Sequence, residues 1–169
     1  MRDAFGGVFM TRLMLVFIVL YVAFTAVSFK YAKSFRIKNK VIDFVEQNQI
    51  IDINTFFAHG SGDSIASLDG VLKSANYKIS CADLGYHSNG NITDKGTGKA
   101  IGYCYNGVVI AKNEAKSTKD TIHYNVYTYV DWDLGSLNTI LVLGGKDRNS
   151  EDPTVGKWQI SGEAIVVNR

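Results

Sequence analysis

Residues 13–29 read Leu13-Met14-Leu15-Val16-Phe17-Ile18-Val19-Leu20-Tyr21-Val22-Ala23-Phe24-Thr25-Ala26-Val27-Ser28-Phe29, without one charge. The run opens after Arg12 and closes at Lys30. Seventeen helical residues cover about 25 Å, close to the ~30 Å hydrocarbon core of a bilayer. Val8, Phe9 and Met10 lengthen it if Arg12 extends its guanidinium toward the headgroups. A cleaved secretory signal is the rival reading. It needs small residues at a cut site, and Ala26-Val27-Ser28 is a faint match with Lys30 and Lys33 close behind. The expectation is a retained membrane helix spanning about 13–29.

No glycine or proline occurs from residue 8 to residue 58. The helix is therefore predicted to run on to about residue 49. Val41, Ile42, Phe44 and Val45 recur at three- and four-residue steps, with Lys38, Lys40, Asp43 and Glu46 mostly on other faces. Residues 1–49 form a hydrophobic, then amphipathic stem, and 50–169 a globular domain. The amphipathic half needs a surface to cover it, either its own domain or a neighbouring copy.

Charge divides along the same boundary. Residues 1–49 hold seven Lys/Arg against three Asp/Glu, and 50–169 hold eleven against thirteen. A near-neutral domain argues against nucleic acid as a partner. The basic excess lies in Lys30, Lys33, Arg36, Lys38 and Lys40, as expected of a stem edge near lipid headgroups. Cys81 and Cys104 are the only cysteines. An even pair in a small Tyr- and Gly-rich domain predicts one disulfide, hence an oxidising compartment. The five basic residues after the span favour a cytoplasmic domain by the positive-inside rule. The cysteine pair favours the opposite side, as does the weak Asn91-Ile92-Thr93 sequon if the source is eukaryotic, and an extracytoplasmic domain is the expectation.

Within the domain, Asp63 is placed to cap one short helix reaching about Tyr77, with Ile65, Leu68, Leu72 and Ala75 on one face. Residues 85–99, with Gly85, Gly90, Gly96 and Gly98, read as an exposed loop. Asn106-Gly107 between two apolar stretches signals a hairpin. In Thr121–Trp132, Ile122, Tyr124, Val126, Thr128, Val130 and Trp132 alternate with His123, Asn125, Tyr127, Tyr129 and Asp131, and the first set is the better core face. Leu134–Leu143 fits a helical turn or a buried strand. Residues 146–156 read as a polar loop holding Pro153, and Lys157–Asn168 as a final strand with Trp158, Ile160, Ala164 and Val166 on one side. The fold class is α+β: a long N-terminal transmembrane-then-amphipathic helix, then a small antiparallel sheet with one short helix.

Chemistry is sparse. His59, His87 and His123 match no metal spacing. Asp131, Asp133 and Asp147 lack a calcium-loop pattern, and Asp94–Lys99 lacks the spacing of a phosphate loop. His59-Gly60-Ser61-Gly62-Asp63 holds triad residue types at adjacent positions, where they seldom converge in space. No catalytic residue, cofactor or metal site is assigned, and an enzyme is not expected. Tyr127 and Tyr129, on the alternate face of their strand, are candidate interface aromatics.

Gly6-Gly7-Val8-Phe9-Met10, the apolar run, the stem through Gln49 and the tail Trp158-Gln159-Ile160-Ser161-Gly162-Glu163 together resemble a type IV pilin or pseudopilin. The tight-adherence (Tad) group, with its TadE-like minor members, is the nearest comparison. The resemblance implies a structural subunit of a bacterial surface filament or its assembly machinery. It implies processing between Gly7 and Val8, and homo-oligomers or mixed assemblies through Leu13, Val16, Phe17, Leu20, Tyr21, Phe24 and Val27. That family carries Glu at mature position five, where this chain would place Arg12. The alternative is a monomeric single-pass, membrane-anchored extracytoplasmic binding or sensing module.

Overall fold

The computed structural model describes residues 2–59, 62–86, 89–93, 98–131 and 157–168. The readings of 134–143, Trp132, Asp133, Asp147, Pro153, His87, Gly60, Ser61 and 94–97 lie outside the described residues.

Helix α1 (Arg2–Gln47) is continuous over 46 residues, about 69 Å at 1.5 Å per residue. It stops where Gln49 turns left-handed, with φ of 45°. The Gln49 and Ile50 N–H groups then donate to the Glu46 and Val45 carbonyls at 3.2 and 3.3 Å, satisfying two acceptors of the last turn. Helix α2 (Ile53–His59) follows and was not expected from the sequence. Its start is set by Asp52, whose carboxylate accepts from the Asn54 N–H at 3.1 Å and the Thr55 hydroxyl at 2.6 Å. Helix α3 (Gly62–Ser74) buries Leu68 and Leu72 and closes as α1 does, with Asn76 at φ of 47°. The domain thus holds more than the one short helix expected.

Among the described residues five strands follow: β1 (Gly90–Thr93), β2 (Ala100–Tyr105), β3 (Val108–Lys112), β4 (Thr121–Asp131) and β5 (Lys157–Val167). They form one antiparallel sheet in sequence order. Strand β1 lies inside the segment read as a loop. As an edge strand it needs backbone pairing on one side only, so a polar, glycine-rich segment suffices. The hairpin between β2 and β3 turns at Asn106-Gly107, where both residues have positive φ, 45° and 75°, as a two-residue primed turn requires.

One face of the sheet carries Ile122, Tyr124, Val126 and Thr128 of β4, Ala164 and Val166 of β5, and Val108 and Ile110 of β3, all buried. The amphipathic half of α1 covers it with Ile37, Val41, Phe44 and Val45, and α3 adds Leu68 and Leu72. The stem's second half is therefore covered by its own domain. Gly162 allows the close approach: a Cβ there would meet Ile42 Cδ1 at 2.7 Å and Lys38 Cδ at 2.8 Å.

The opposite face is covered as well, and this corrects the reading of Tyr129 as an interface aromatic. Cys81 and Cys104 are joined by a disulfide that ties residues 77–86 across the sheet. Tyr129 is 7 % exposed and packs with Cys81, Leu84, Cys104 and Val109. Tyr127 is half-buried against the same cluster. Trp158 departs in the other direction. It shares parity with Ile160 and Ala164 but is 56 % exposed, being near the start of β5.

Gly107 combines a positive φ with a Cβ position that would collide with the Ile79 backbone carbonyl, whereas Gly70, within α3, has open space around it. Gly107→Ala is expected to lower unfolding free energy by at least about 1 kcal/mol, and Gly70→Ala to raise it by about 0.5–1 kcal/mol. Denaturant titration of the two variants checks the opposite signs. The disulfide closes a sequence separation of 23, for which the chain-entropy model gives about 3 kcal/mol. A reductant is expected to lower the melting temperature of the wild type and leave Cys81→Ser/Cys104→Ser unchanged. Identical wild-type melting with and without reductant would remove the bridge from the stability of the fold.

Candidate functional site

The largest uncovered feature among the described residues is the first half of α1. Over its most apolar 18-residue window the mean hydropathy is 2.2 and only 6 % is buried, which distinguishes it from the core helix of a soluble domain. The helix is long and apolar enough to cross a membrane and lies near the N-terminus, where a signal sequence would also lie. Leu13, Val16, Phe17, Leu20, Tyr21 and Phe24 are exposed, and Val27 is half-buried. From residue 7 to residue 22 exposure runs round the whole circumference, whereas Ala23 is buried and Thr25, Ala26 and Val27 are half-buried. Gly7 and Val8 lie within the helix, with open space around Gly7. The Thr25 and Ser28 hydroxyls donate to the Tyr21 and Phe24 carbonyls of their own helix at 2.8 and 2.9 Å. They are satisfied locally and need no partner helix.

Below this rod the chain fastens stem to sheet. Strand β4 pairs with β3 only as far as Tyr127 but with β5 as far as Asp131. Beyond Tyr127 its free edge is taken up by side chains. Ser34 Oγ donates to the Tyr129 carbonyl at 3.1 Å, and Thr128 Oγ1 donates to the Ser34 carbonyl at 3.2 Å, both buried. The Tyr129 N–H donates to the Tyr77 hydroxyl at 3.0 Å, and that hydroxyl has the Gly107 carbonyl at 3.2 Å as an acceptor. Burial pushes the Tyr77 phenol well above its ordinary range and pushes Tyr124 and Tyr129 up to about 12. The fold holds all three as neutral phenols.

A cleft of about 490 Å³ opens beside this fastening. Lys30 and Lys33 line it from the stem, Lys78 from the segment after α3, and Lys157 from the start of β5, with Asp83 the one carboxylate among the described residues of its wall. Lys33 Nζ donates to the Asn76 carbonyl at 2.7 Å, and Lys157 Nζ to the Asp83 carbonyl. The sequence cluster of five basic residues therefore divides. Lys30 and Lys33 face the cleft, Lys38 is buried with its ammonium 4.1 Å from the Phe35 ring centre, and Arg36 and Lys40 are exposed. Lys78 and Lys157 gave no signal in the sequence, because only the fold brings them beside the stem.

No protein-family model, curated protein or solved structure matches this chain. The site must be read from its own chemistry. Among the described residues no three His, Cys, Asp or Glu side chains gather to hold a metal ion. His123 meets Glu163 across the β4–β5 pair at 2.9 Å, and Lys116 meets the same carboxylate at 2.9 Å. Hydrogen bonds from Lys116 and then His123 hold the Glu163 carboxyl below its usual range. The three tie the turn before β4 to β5.

The raised phenols set a pH dependence. Each binds its proton more tightly folded than unfolded, so the phenols' contribution to stability is constant below the ordinary value of 10.0 and declines as pH rises from there toward about 12. Absorbance titration at alkaline pH is expected to show some of the nine tyrosines ionising late and together with loss of structure. Ionisation of all of them near 10 with the fold intact would contradict this.

Proposed function

We propose that this protein is a membrane-stem structural subunit, similar in plan to a pilin or minor pseudopilin, that assembles with copies of itself or with similar subunits through its N-terminal helix. The observation that carries this reading is an uncharged rod exposed on every side from Leu13 to Val22, continuous with a helix packed on a disulfide-bearing sheet. Such a rod needs lipid or neighbouring rods around its whole circumference. The disulfide supports a domain on the extracytoplasmic side, against the charge bias of the flanks. Arg12, exposed near the upper end of the rod, stands where the resemblance would call for Glu. In this reading it pairs with an acidic group of a neighbour or reaches the headgroups.

A second reading, a monomeric single-pass extracytoplasmic module, is favoured by one observation. The amphipathic half of the stem is already covered by its own sheet, so nothing below Lys30 requires a second copy.

Leu20→Arg places a charge mid-span, at a cost of about 2.5–3.5 kcal/mol in a bilayer centre. It is expected to abolish membrane retention and any stem-dependent oligomer while the Cys81–Cys104 bridge and the near-ultraviolet circular dichroism of the domain persist. Electron microscopy and chemical cross-linking of the full-length wild type separate the two readings. Regular fibres or ladders of cross-linked copies support the subunit, and a detergent-bound monomer alone refutes it. Mass measurement of native material lacking residues 1–29 would refute both.

A further inference from the structure

The chain contains two Asn-Gly steps, Asn89-Gly90 and Asn106-Gly107. Such a step carries a reaction of its own, because no side chain shields the glycine nitrogen. That nitrogen gives up its proton to solvent and bonds to the asparagine Cγ. The Cγ–Nδ2 bond breaks and ammonia leaves. Water then opens the resulting five-membered imide at either carbonyl, giving aspartate or, with the chain rerouted through Cγ, isoaspartate. The ring closes only where the side-chain amide and the glycine N–H are both free to move.

The fold brings the two steps together and ties down both reacting groups of the second. The Asn106 N–H donates to Asn89 Oδ1 at 2.8 Å, and Asn89 Nδ2 donates back to Asn106 Oδ1 at 3.1 Å. Asn106 Nδ2 donates to Asp69 Oδ1 of α3 at 3.0 Å. The Asn106 amide is thereby held at both its oxygen and its nitrogen. Gly107 is buried, and its N–H donates to Cys81 Sγ at 3.4 Å. In the closed imide Cγ takes the place of that hydrogen, on the side where the sulfur lies. The sulfur is fixed by its bond to Cys104, near the end of β2. The Ile79 carbonyl, against which a Cβ on Gly107 would collide, holds the turn from the same segment. Residues 77–86 thus close over Asn106-Gly107, and the bridge is what fastens them covalently to the sheet.

We infer that Asn106-Gly107 is a deamidation site held shut by the Cys81–Cys104 bridge, so that loss of the bridge is written irreversibly into the backbone. A thiol reductant opens the bridge by exchange, leaving two cysteine thiols and the oxidised reductant as its own disulfide. Local opening of residues 77–86 then frees the Gly107 N–H, and the imide forms. The product does not fit back. Aspartate at 106 lacks the amide donor and sets a second carboxylate against Asp69. Isoaspartate lengthens the backbone of a two-residue turn whose geometry fixes the β2–β3 register. The device is independent of what surrounds the stem.

The test incubates the full-length protein in warm, mildly alkaline buffer, with and without a thiol reductant. Residues 89 and 106 are followed by peptide mass spectrometry and enzymatic isoaspartate labelling, and the fold by near-ultraviolet circular dichroism. Asn106 is expected to deamidate at least about tenfold faster in the reduced wild type and in Cys81→Ser/Cys104→Ser than in the oxidised wild type. Equal rates would overturn the inference. So would an acceleration no larger than the unfolded fraction accounts for, scaled to the rate in urea, since global unfolding would then explain it. Asn89→Ala, with the bridge intact, is expected to speed Asn106 by about threefold to tenfold through loss of the clamp, and an unchanged rate would overturn the clamp. Asn106→Asp reproduces the product. Its bridge is expected to be about tenfold easier to reduce in a glutathione buffer, and an unchanged equilibrium would overturn the irreversible record.

Discussion

The structure depends on one helix with two kinds of surface. From Leu13 to Val22 α1 is uncharged and exposed on every side. Its second half carries an apolar stripe and must lie on a sheet. Because no proline or glycine breaks the join, the two halves move as one rod. The packing of Ile37, Val41 and Val45 against β4 and β5 therefore decides where the domain stands relative to the rod. Gly162 sets how near the helix comes, and the reciprocal bonds between Ser34 and the edge of β4 set its register along the sheet.

Among the described residues, the second face of the sheet is covered by the Cys81 segment, which includes the short 3-10 helix Ala82–Leu84. The disulfide to Cys104 holds residues 77–86 where Leu84 and Tyr129 form a second, smaller cluster. Tyr77 links the two layers, since its ring packs beside the main core and its hydroxyl closes the edge of β4. A small domain with two thin cores gains more from a cross-link than one with a single thick core, because neither layer alone buries much apolar surface.

The same geometry gathers charge. The end of β4 and the start of β5 reach the level where the apolar run stops, and this brings Lys78 and Lys157 beside Lys30 and Lys33. Elsewhere on the sheet, Glu163 forms ion pairs with Lys116 and His123.

Several features were legible in residues that are neighbours along the chain. The uncharged run gave the rod, the spacing of Val41, Phe44 and Val45 gave the docked face, the alternation from Ile122 to Val130 gave β4, and Asn106-Gly107 gave the hairpin. Each is a local period or a local backbone requirement, so the chain states it without help. The cysteine pair was legible too, there being no other partner for either. Helix α2 left a quieter signal in Asp52 and Thr55, a short cap easily passed over. The burial of Tyr129, the exposure of Trp158, the pairing of β1 and the meeting of four lysines were decided only in three dimensions. Alternation tells which residues share a face of a strand, but not what covers that face or where the cover ends. Those depend on contacts between segments dozens of residues apart, and only the folded chain brings them together.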